Sequence, residues 1–163
     1  VNIGADLYIQ LVHSENNKKY EKPFYEWARK RDEAVDEEAK KVCQEKVTYY
    51  LNKMNDESGY FRDSYNNSNV VNLFGLSYWQ DFDKWTNKNG EMTPAMAQEL
   101  LDELAKREPI FKKNLDERVV KVLAEDTTET EKQIRDYFIG KYFQLQRFLK
   151  HAIELNSNID CSL

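Results

Sequence analysis

The chain has 163 residues, of which 40% are hydrophobic, 13% aromatic and 33% charged, with a net charge of −5. That length suits one domain with a sizeable core, and the aromatic share is too high for a disordered chain. The acidic balance argues against nucleic-acid binding, no apolar run approaches the ~20 residues of a membrane helix, and two cysteines make neither a disulfide framework nor a metal motif. No signal-peptide pattern is evident at the start, so the expected compartment is a reducing cytoplasm.

Near the N-terminus Leu7, Ile9 and Leu11 alternate with Tyr8, Gln10 and Val12, which suits a short strand. No partner strand is evident, so residues 1–22 are expected to form an N-terminal arm, extended or laid on the body as a first helical turn. Residues 14–19 read as polar linker. Pro23 is placed as in the first turn of a helix, and one long helix is expected from Phe24 to about residue 55. Its stripe is Phe24, Trp27, Ala28, Val35, Ala39 and Val42, drifting onto Cys43, Val47, Tyr50, Leu51 and Met54. The dense charges of residues 26–41 read as a solvated face of weak pairs.

Gly59 is expected to end that helical region with a positive φ. Residues 60–69 are rich in Asp, Ser and Asn and read as turns. Residues 70–74 and 76–85 read as two short helices broken at Gly75. A turn follows from Asn87 to Gly90. It is not a calcium loop: with Gly90 as the invariant glycine, Met96 occupies the position where a carboxylate belongs.

Thr93 is placed to cap a helix beginning at Pro94, with Ala97, Leu100, Leu101 and Leu104 as its stripe. Pro109 opens another, with Phe111, Leu115, Val119, Val122 and Leu123. The last helix is expected over residues 128–156, with Thr128 and Glu131 as a capping box. Ile134, Phe138, Tyr142, Leu145, Leu149 and Ala152 form its stripe, widened by Tyr137, Phe143, Phe148 and Ile153. Such a helix is central to its fold or also faces a partner, as in a homodimer. Residues 157–163 read as a loose tail. The expected fold is mostly α: a single domain over residues 1–163, a bundle of about six helices, two of them long.

Little in the chain carries chemistry. His13 and His151 are the only histidines, and no phosphate-cradling glycine motif is present. No catalytic residue, metal ligand or cofactor is assigned. The enzymatic alternative is a metal-dependent hydrolase in which Asp6, Asp63 and Asp81 converge. The rings of Tyr60, Phe61, Tyr65, Tyr78 and Trp79 read first as core and second as a protein-binding surface. The expected partner surface is Asp6, Tyr60, Arg62, Asp63, Tyr65 and Asn66. The partner is a protein, with neither nucleic acid nor membrane expected.

Four segments resemble a group of small uncharacterised proteins of bacteriophages and bacteria: GADLY at residues 4–8, GYFRDSYN at 59–66, GLSYW at 75–79 and GEMTP at 90–94. Together they span roughly the first two-thirds of the chain. In that group Gly-Ala-Asp tends to follow the initiator directly, whereas Val1, Asn2 and Ile3 precede it here. The resemblance implies no activity. It implies a phage setting and a bacterial host cytoplasm, where a small non-enzymatic module would bind and modulate a host protein, a defence protein among them.

Overall fold

The alternation near the start of the chain is a strand, and it has partners. The computed structural model describes residues 5–56, 58–64 and 69–163. Strand β1 (Ala5–Ile9) pairs antiparallel with β2 (Tyr60–Asp63) on one side and with β4 (Ile159–Ser162) on the other. The two-residue β3 (Glu91–Met92) joins β4, giving the order β2-β1-β4-β3. Successive side chains point to opposite faces of a strand. Leu7, Ile9, Phe61, Met92 and Ile159 are therefore buried on the inner face, while Asp6, Tyr8, Tyr60, Arg62 and Asp160 take the outer one.

This sheet corrects three expectations. Residues 60–69 contain β2, whose four residues were masked by the surrounding turn chemistry. Residues 157–163 are not a loose tail: β4 lies between β1 and β3 in the interior of the sheet. The N-terminal arm is likewise replaced, by β1 and the start of the first helix.

Among the described residues six α-helices account for most of the remainder, so the mostly α class holds. α1 (Gln10–Glu33) and α2 (Glu37–Met54) replace the single long helix. The break lies at Ala34, whose backbone is extended, and at Asp36, whose side chain accepts from Ala39 N at 3.0 Å and caps α2. Pro23 lies inside α1 rather than at its first turn. α1 buries no residue, α2 buries Cys43 and Val47, and Val35 at the bend is 94% exposed. The two helices pack chiefly on each other, as a hairpin joined to the sheet through β1.

Gly59 does not take a positive φ; Gly75 and Gly90 do. Its role is close approach instead: a Cβ there would collide with the Val12 side chain. α3 (Val70–Leu73) and a 3₁₀ turn (Phe82–Trp85) flank Gly75. α4 (Pro94–Lys106) is capped by Thr93 as expected, and α5 (Glu108–Ala124) follows. α6 (Glu131–Glu154) carries its capping box on Thr130 and Gln133, two residues beyond Thr128 and Glu131. α6 is the central helix. Ile134, Phe138, Tyr142, Leu145, Phe148, Leu149 and Ala152 are buried against α4, α5 and β2. Phe74 stacks on Phe111 at 4.7 Å and meets Tyr142 at 4.8 Å.

Candidate functional site

The antiparallel register sets Asp6 opposite Arg62 and Tyr8 opposite Tyr60, so all four share the outer face at the β2 edge. Tyr60 Oη donates to Asp6 Oδ1 at 2.6 Å, and Arg62 Nε lies 3.6 Å from the same oxygen. The Tyr8 and Tyr60 rings are 5.0 Å apart, and His13 lies 4.6 Å from Tyr8. Burial pushes the Tyr60 hydroxyl above its usual range, and the hydrogen bond and charge of Asp6 push it further. It therefore remains a donor at neutral pH.

Three of the six expected binding residues, Asp6, Tyr60 and Arg62, thus come together. Tyr65 and Asn66 lie outside the described residues. Asp63 does not join the surface, because strand alternation turns it inward, where it is 1% exposed. It accepts from Tyr78 Oη at 2.7 Å, from Val70 N at 3.0 Å and from Ser64 N at 2.9 Å. Those bonds tie β2 to the start of α3 and to the core, and that is its role.

The convergence of Asp6, Asp63 and Asp81 is not seen. Asp6 and Asp63 occupy opposite faces, and Asp81 closes a local turn by accepting from Ser77 N at 2.8 Å. Among the described residues no group of three or more His, Cys, Asp or Glu is placed to hold a metal ion. Cys161, on β4, has its thiol pushed up to about 12 by burial and then by Asp160, which leaves it a poor nucleophile.

A groove runs beside this face. β2, the edge strand among the described residues, faces α6 across a cavity of about 600 Å³. Tyr60, Phe61 and Phe148 line it with rings, and Arg62, Lys141, Arg147 and Lys150 line it with cations. Phe61 and Phe148 lie 6.0 Å apart and are otherwise buried. Lys141 Nζ donates to Arg62 O at 2.8 Å and sits 5.5 Å from the Phe61 ring. Arg147 and Lys150 are exposed and form no ion pair with the described residues. Glu154 is the one acidic residue along the described lining. A polar stripe at Lys141, Gln144, Arg147, His151 and Glu154 carried the signal at helical spacing. The aromatic breadth of the same helix outweighed it.

No family model matches the chain, nor does any curated protein or solved structure.

Proposed function

We propose that the protein is a non-enzymatic interaction module that binds a partner protein through the β2–α6 groove and the adjoining Asp6–Tyr60–Arg62 face. One observation carries this reading: four cations gather around a ring-lined groove in a chain of net charge −5. Tyr and Arg beside an apolar floor are the residue types that dominate protein-binding hot spots. The phage resemblance would make the partner a host protein in the bacterial cytoplasm, a defence protein among the candidates. Self-association through α6 has less to work with. The stripe of α6 is buried in the core, and of its large apolar side chains Tyr137 and Phe143 remain about half exposed.

Affinity capture from a bacterial lysate tests the reading. The wild type should retain one stoichiometric partner, and Tyr60→Ala/Arg62→Ala should lose it while keeping the same helix content. Capture that survives the double substitution would place the binding surface elsewhere.

A further inference from the structure

We infer that the groove receives an extended acidic segment of the partner, which lies along β2 as a fifth strand; this rests on the groove being the binding surface. The ladder supplies the first argument. Ile9 N donates to Gly59 O at 3.0 Å, so Ile9 and Gly59 form a bonded pair. Bonded and non-bonded pairs alternate in an antiparallel ladder. In this register the main-chain groups of Phe61 and Asp63 therefore face β1, and those of Tyr60 and Arg62 face the groove. The bond from Lys141 to Arg62 O, on the groove side, agrees with that phase. Among the described residues no strand pairs with the N–H and C=O of Tyr60, since β2 is the edge strand there. An edge strand beside a side-chain-lined groove is the arrangement to which extended peptides add.

Charge supplies the second argument. Arg147 and Lys150 line the groove from the exposed side of α6, Lys141 lines it nearer the core, where it donates to Arg62 O, and Arg62 stands on the strand. From Lys141 to Lys150 the helix advances about 14 Å and turns by half a circle, so the cations flank the groove rather than form one row, and about four residues of extended chain at ~3.3 Å each span that length. Alternate side chains of such a segment would meet α6, and carboxylates there would meet its cations. A polynucleotide would run beyond the groove onto the acidic outer face that Asp6 and Asp160 share, where its phosphates are repelled. A small anion would use the cations and leave the main-chain groups of β2 idle.

The test is selection of random octapeptides displayed on beads against the wild-type protein and against Arg147→Glu/Lys150→Glu. Both altered side chains are exposed, so the variant should fold, which circular dichroism checks. The wild type should enrich peptides with Asp or Glu at alternate positions. A synthetic representative should bind about tenfold or more weakly to the charge-reversed variant. N-methylation at its alternate main-chain nitrogens should weaken it comparably, and millimolar inorganic phosphate should not displace it. Four outcomes would overturn the inference: no enrichment, enrichment without acidic residues, indifference to N-methylation, or displacement by phosphate. Lysate capture that still depends on Tyr60 and Arg62 would then leave the broader reading intact. Capture independent of those residues would remove both.

Discussion

At the scale of the residue, two neighbours on β2 show how alternation assigns roles. Arg62 faces outward to Asp6 and the groove, while Asp63 faces the core. A buried carboxylate is tolerated because Tyr78, Val70 and Ser64 all donate to it. Removing the acceptor strands three donors, so Asp63→Ala should cost about 3 kcal/mol or more. Asp63→Asn keeps an acceptor oxygen and should cost less. The pH dependence has a definite sign. Burial holds the Asp63 carboxyl above its ordinary range, opposed first by the Tyr78 hydroxyl and then by the backbone donors. The folded protein thus holds this proton more tightly than the unfolded chain does. The resulting stability is fully present below the unfolded value of about 3.9 and is lost as pH rises through the raised folded value. Asp63→Asn cannot titrate, so the wild type should weaken relative to it across that window. Urea unfolding of both proteins at stepped pH checks this, and a constant gap between them would refute it.

At the scale of the element, the α1–α2 hairpin stands apart from the rest. α1 buries nothing and α2 buries two residues, whereas α6 buries seven. Helix stability in proteins comes mainly from tertiary packing, and backbone with few buried apolar contacts opens locally at low free energy. Amides of α1 and α2 should therefore exchange with deuterium about tenfold or more faster than those at the centre of α6. Equal protection would mean that something covers the hairpin in solution. What was legible in the chain follows the same division. The cap at Thr93 and the long stripe of α6 are local signals, and the structure bears out both helices. The break at Asp36 was signalled by an acid before Glu37 and Glu38, but strong helix formers on both sides concealed it. The strands were least legible. β2 and β4 have four residues each and β3 has two, too few for alternation to stand out, and their pairing is fixed by distant segments. The site divided in the same way. Asp6, Tyr60 and Arg62 were grouped from the chain, but that α6 would lie beside β2 is a tertiary fact.

At the scale of the whole molecule, the sheet closes the fold by bringing both ends of the described chain together. β1 begins at Ala5 and pairs with β4, which ends at Ser162. Main-chain bonds continue the seam beyond the ladder. Gln10 N donates to Asn158 O and Cys161 N to Gly90 O, each at 3.0 Å. Ile159 is fully buried and lies opposite Ile9 on one side and Met92 on the other. Removing residues 158–163 would unpair both neighbours of β4 at once, expose an edge of β1 and take Ile159 out of the core. The loss should exceed about 5 kcal/mol, which reaches the whole stability of an ordinary domain. The truncated protein should therefore lose its cooperative urea transition and its near-ultraviolet circular dichroism, while helical signal persists in part. It should also lose partner capture, although no groove residue has been touched. The edge that Tyr60 presents depends on β1, and β1 depends on β4. A truncated protein that unfolds with an unchanged midpoint would show the strand to be dispensable, and with it the physical link between the chain's C-terminal residues and the groove.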